Sequence, residues 1–100
     1  MPHSLLIVGT SGLAKEVAQL NWNSTVGHDT MIGSYNVINP GCSISGRVWV
    51  DDSCLFGTGC RVLEGLHIAS GVTVGDGAVV TRLIGQPGIY VGVPARWAGA

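Results

Sequence analysis

One hundred residues with 5 Lys plus Arg, 6 Asp plus Glu and a net charge of −1 are enough for one small domain and too few for two. Charged residues make up 11%, where soluble chains average about 25%, and 16 glycines stand where about 7 are usual, so the chain is expected to be repetitive and turn-rich. The balanced charge, with no Lys/Arg run, excludes the electrostatic footprint of nucleic-acid binding. No apolar run approaches the roughly 20 residues of a membrane span.

Met1 to Ala14 lacks a basic leader, and its apolar core, Leu5 to Val8, is too short for a signal peptide. Three cysteines with no secretory signal point to reduced thiols and a cytoplasmic protein. Leu5 to Val8 reads as a buried strand and Gly9 to Gly12 as a turn, while Leu13, Val17 and Leu20 recur at helical spacing. Residues 1–23 are therefore expected to form a strand-turn-helix cap over the end of a solenoid. The glycine turn before a helix has the form of a phosphate cradle, but a nucleotide site needs a whole βαβ unit of about 30 residues, and a different pattern starts at Ser24.

From there aliphatic or aromatic residues recur at a strict interval of six: Val26, Ile32, Ile38, Ile44, Val50, Phe56, Val62, Ile68, Val74 and Val80. Two positions earlier stand Ser24, Thr30, Asn36, Cys42, Val48, Cys54, Cys60, Leu66, Val72 and Ala78, mostly small or β-branched. Residues i and i+2 share one face of a strand, so both columns point inward. The next position is usually a turn former, as in Gly27, Gly33, Asn39, Ser45, Asp51, Gly57 and Gly75. A short strand and a corner per hexapeptide describe a parallel β-helix with one prism wall per repeat, predicted over 24–84, with a strand and tail over 85–100. Cys42, Cys54 and Cys60 fall in the small inward column and read as buried packing residues, since no C-x-x-C pair exists.

Thr25-Val-Gly-His-Asp29, Ile44-Ser-Gly46 and Val91-Gly-Val-Pro-Ala-Arg96, set in these repeats, resemble the acyltransferases of the left-handed β-helix superfamily. Within that superfamily the chain resembles the sugar acetyltransferases of sialic acid O-acetylation and bacillosamine biosynthesis. Ile7-Val-Gly-Thr-Ser-Gly12 resembles the opening of their sugar-nucleotide-binding domain, of which a truncated remnant is implied here. The resemblance implies an all-β, left-handed coil, a homotrimer with sites between subunits, acetyl-CoA as co-substrate without a metal, and a sugar or nucleotide-sugar acceptor.

Acyl transfer to a hydroxyl or amine needs a base, and histidine has the pKa nearest working pH. His28 matches the family's catalytic histidine; Asp29 and Asn21 match positions that orient the imidazole or the acceptor. Resemblance makes the Gly46 N–H the oxyanion donor, one coil from His28, and places Gly46, Val37, Thr58 and Asp76 along the acetyl-CoA groove. Relatives carry histidine at the position of Val37. Arg96 reads as solvated, with a CoA phosphate as its other possible partner. His67 and His3 read as solvated, and the spacing of the three histidines does not suit a zinc site. Trp49, outward on a chain with few charges, suggests a subunit interface. The rival expectation is a non-catalytic trimeric β-helix that keeps the scaffold as a binding or structural module.

Overall fold

Each hexapeptide spends two or three residues in an extended strand and turns a corner with the rest, so three repeats return the chain to its starting wall. The computed structural model describes Leu6–Val8, Ala18–Leu20 and residues 23–100. The first wall contains β1 (Leu6–Val8), β4 (Thr30–Ile32), β7 (Trp49–Val50) and β10 (His67–Ile68). The second contains β2 (Ala18–Leu20), β5 (Asn36–Ile38), β8 (Leu55–Phe56), β11 (Val72–Val74), β13 (Gly88–Val91) and β14 (Arg96–Gly99). The third contains β3 (Thr25–Val26), β6 (Ser43–Ile44), β9 (Arg61–Val62) and β12 (Val79–Val80).

Parallel register holds each coil to the next at a separation of 18 residues, as in Val26↔Ile44, Ile38↔Phe56 and Ile32↔Val50. Nine members of the six-residue aliphatic column, from Ile32 to Val80, are buried, and Val26 packs against them half-buried. Thr30 and Asn36, polar members of the small column, are buried with their bonds made. Thr30 Oγ1 donates to the Ser45 carbonyl at 2.9 Å; Asn36 Nδ2 donates to the Gly33 and Asp51 carbonyls at 3.0 and 2.8 Å, and its Oδ1 accepts from Cys54 N–H at 2.7 Å. Among the described residues no buried side-chain nitrogen or oxygen lacks a partner, which is what a low-dielectric prism requires.

Two expectations are corrected. Leu20 was expected at the end of a helix, but Ala18–Leu20 is a strand paired parallel with Asn36–Ile38, so the coil register reaches back into the cap. Leu20 also lies six residues before Val26, and pairing along the prism overrides the helical spacing. Residues 13–17 of that expected helix, with the Gly9 to Gly12 turn, lie outside the described residues. The C-terminal strand and tail are two strands: β13 continues the second wall beside β11, and β14 folds back antiparallel onto it. No helix among the described residues is long and apolar enough to cross a membrane.

The three cysteines are buried free thiols, with the Cys42 and Cys60 sulfurs 3.4 Å apart on successive coils. Burial pushes the Cys60 thiol far above its ordinary value, helped by the Cys42 sulfur; burial also raises Cys54, against backbone hydrogen bonds at Val72 and Gly71. The folded chain therefore keeps these protons at a pH where the unfolded thiols, near 9.0, have lost them. Stability should be level with respect to these groups below about pH 8 and fall above about pH 9, by about 1.4 kcal/mol per pH unit for each thiol. Chemical denaturation from neutral to alkaline pH measures this, and Cys60→Ala should flatten the fall. A fall unchanged by that substitution contradicts the assignment to Cys60.

Candidate active site

The chain passes from the third wall to the first through Gly27-His28-Asp29, and again one coil on through Ser45-Gly46-Arg47 and then Leu63-Glu64-Gly65. This edge of the prism is drawn together by backbone. Arg47 N–H donates to the His28 carbonyl at 2.7 Å and Gly65 N–H to the Gly46 carbonyl at 3.0 Å. Gly27 allows the first two corners to touch: a Cβ there would lie 2.6 Å from Gly46 N and 2.8 Å from the Ser45 carbonyl carbon. A Cβ on Gly46 would in turn lie 3.1 Å from the His28 oxygen.

His28 and Gly46 thus occupy one edge, on successive coils. The His28 side chain is exposed, and among the described residues it makes no hydrogen bond or ion pair. The Gly46 N–H likewise has no partner among the described residues, although its carbonyl is used. The edge therefore carries an N–H without a partner among the described residues and an exposed histidine on the neighbouring coil.

Asp29 is exposed with φ 57° and makes no bond to His28. Asn21 lies outside the described residues, as does His3. Thr58 and Asp76 are one coil apart, but on the other edge of the third wall, and they bond to each other: Thr58 N–H donates to Asp76 Oδ1 at 2.9 Å. Val37 points outward from β5 on the second wall, half-buried. Within one chain, then, the expected base and oxyanion donor share an edge while Val37, Thr58 and Asp76 stand around the next one.

His67, read as solvated, is exposed yet partnered. Its Nε2 is 3.0 Å from Asp51 Oδ1, and its ring meets Trp49 edge-on with centroids 6.3 Å apart. The partner is 16 residues away, outside any local pattern. Sequence reasoning also missed a cavity of about 280 Å³ between the last coil and the C-terminal hairpin, bordered by Arg82, Tyr90, Arg96 and Trp97. Only the hairpin, which the repeat does not foretell, brings these side chains together. Among the described residues no three His, Cys, Asp or Glu side chains are grouped to hold a metal ion.

WeeI from Acinetobacter baumannii superposes with a TM-score of 0.78 at 35% identity, covering 81% of this chain and 41% of that one. The acetyltransferase domain of PglB from Neisseria gonorrhoeae, in complex with acetyl coenzyme A, gives 0.79 at 31%, covering 81% and 40%. The fold is the left-handed β-helix of the hexapeptide-repeat acyltransferases. A curated relative within this β-helix group, the UDP-3-O-acylglucosamine N-acyltransferase of Albidiferax ferrireducens, is 31% identical over 68 residues, 68% of this chain. The chain spans 21% of that relative's length and about two fifths of the two structures. No family model matches.

Proposed function

We propose that this hexapeptide-repeat β-helix transfers an acetyl group from acetyl-CoA to a hydroxyl or amine of a sugar or nucleotide sugar. The observation that carries the reading is the open Gly46 N–H on the same edge as the exposed His28. The PglB domain holds acetyl coenzyme A, and a GDP-perosamine N-acetyl transferase mutant of the same fold, from Caulobacter crescentus, holds CoA and GDP-perosamine at 27% identity and a TM-score of 0.53.

In the proposed step the acceptor oxygen or nitrogen attacks the thioester carbonyl while His28 takes its proton. Negative charge collects on the carbonyl oxygen, where the Gly46 N–H donates to it. The intermediate then collapses, the carbon–sulfur bond breaks, and the CoA sulfur leaves with the proton held by His28. Acetyl-CoA and acceptor become CoA thiol and acetylated acceptor, and every proton is accounted for. Asp29 and Asn21 are assigned to orient the imidazole or the acceptor.

The donor groove runs past Gly46, Val37, Thr58 and Asp76. Because the last three lie around a different edge from His28, the reading requires the edge of one chain to face a neighbouring chain, as in a homotrimer with sites between subunits. Trp49 at 46% exposure and Leu55 at 40% supply apolar surface for such packing. Arg96, beside Arg82 at the C-terminal cavity, is assigned to a CoA phosphate. The free cysteines suit a cytoplasmic protein.

Release of CoA thiol from acetyl-CoA, with nucleotide-linked amino sugars and hydroxy sugars offered as acceptors, tests the reading on a sample whose trimeric mass has been checked by light scattering. Release should depend on the acceptor. A trimer that releases none with any of them contradicts the proposal.

A further inference from the structure

Three turns of this prism settle a leading N–H with a side chain from the coil that follows. Ser34 N–H donates to Asp52 Oδ1 at 2.8 Å, Thr58 N–H to Asp76 Oδ1 at 2.9 Å, and Asp52 N–H to Ser70 Oγ at 3.0 Å; in each case the acceptor stands 18 residues further on. Glu64 holds that same position relative to Gly46. Its carboxylate, one methylene longer than the aspartates that cap Ser34 and Thr58, is nevertheless turned to the Arg47 guanidinium, and the Gly46 N–H keeps no partner among the described residues.

Arg47, like Asp29 one coil earlier on this edge, is a non-glycine residue at the left-handed step of its corner. Its backbone lies at φ 56°, in the left-handed region, and one coil on along the same edge the corresponding residue is Gly65 at φ 77°. Glycine takes this conformation without the steric cost that an arginine bears. The ion pair with Glu64, its side chains 69% and 56% exposed, biases where the Glu64 carboxylate sits but adds little overall stability to offset that cost. Neither backbone geometry nor stability accounts for an arginine at this corner.

We infer that Arg47 is a positioning residue that draws the Glu64 carboxylate away from Gly46 and so keeps the Gly46 N–H open for the acyl donor's carbonyl oxygen. The inference rests on the reading of Gly46 as oxyanion donor given under Proposed function. Without Arg47, Glu64 caps Gly46 as Asp52 caps Ser34 and Asp76 caps Thr58. The donor is then occupied, and a negative charge sits where the oxyanion must form.

The test uses the full chain in its assembled state, with CoA thiol release as the readout. Arg47→Ala should lower kcat by about tenfold, less than the roughly 10²- to 10³-fold of losing an oxyanion donor outright because Glu64 occupies the N–H only part of the time, with KM for acetyl-CoA and the melting temperature little changed. Adding Glu64→Ala to that variant should bring kcat back, and Arg47→Lys, which keeps a cation facing Glu64, should retain it. A simple loss of surface charge or packing predicts no rescue. A wild-type kcat in Arg47→Ala, or a double variant as slow as the single one, overturns the inference while leaving the acetyltransferase reading in place.

The Gly46 amide resonance gives a readout independent of turnover. Arg47→Ala should move it downfield as the carboxylate closes on the N–H, and Glu64→Ala should reverse the shift. A resonance that does not move overturns the inference even in a protein that transfers no acetyl group, whereas absent turnover with a moving resonance counts against the acetyltransferase reading alone.

Discussion

Replacing His28 with alanine should lower acceptor-dependent acetyl transfer by about 10²- to 10⁴-fold, the range a positioned general base supplies. The fold should be untouched, because the His28 side chain is exposed and makes no hydrogen bond or ion pair among the described residues, while the corner is held by its backbone carbonyl. Melting temperature, trimeric mass and acetyl-CoA affinity should therefore stay at wild-type values as kcat falls. The rival account, a β-helix kept as a structural or binding module, predicts that His28→Ala changes nothing measurable. A variant that turns over as fast as wild type removes His28 from the mechanism.

Gly27→Ala should be strongly destabilising. A methyl group there meets three backbone atoms, Gly46 N at 2.6 Å, the Ser45 carbonyl carbon at 2.8 Å and Gly46 Cα at 2.9 Å, and no flexible side chain is present to yield. The two coils must part at this corner, against the 2.8 Å bond from Gly27 N–H to the Ile44 carbonyl. Overpacking of this kind costs about 3 kcal/mol, read as a melting-temperature drop of about 10 to 20 °C, and it shifts Gly46 as well. Gly85→Ala is the control, since a Cβ there meets nothing within 4 Å and its backbone is outside the left-handed region. Its stability should stay within about 0.5 kcal/mol of wild type. Equal melting of the two variants contradicts the close approach of the corners at Gly27.

The prism was legible because burial and backbone pairing act on one repeated unit. Ile32, Ile38, Ile44 and their successors are apolar at every sixth position since each closes one wall, and the register of 18 follows from three walls per coil. The beginning was harder to read. Leu20 belongs to both a helical spacing and the six-residue column, and only its pairing opposite Ile38 decides between them. The antiparallel return of Arg96–Gly99 is a single event that no repeat announces.

The edge that carries His28 and Gly46 was likewise visible as a spacing of 18 residues between a histidine and a glycine. The side chains around that edge were not. On this edge Asp29 and Arg47 adopt left-handed backbone where Gly65 does, and elsewhere Tyr35 and Ser53 do so where Gly41, Gly59, Gly71 and Gly77 do at the same step of the repeat. Glycine marks such a position in a sequence, whereas tyrosine or arginine conceals it. Nor does spacing reveal that Glu64 pairs with Arg47 while Asp76 caps Thr58, since both acids stand at the same step and the choice depends on the neighbour each one finds.

Acetyl-CoA binding tests the central claim most directly, because the proposed donor groove requires both the prism and the proposed assembly. Isothermal titration of acetyl-CoA into a sample of verified trimeric mass should give saturable binding at one site per chain, and binding should survive His28→Ala. A folded trimer that binds no acetyl-CoA at millimolar ligand contradicts the account and leaves His28 and Gly46 as neighbours on a structural scaffold.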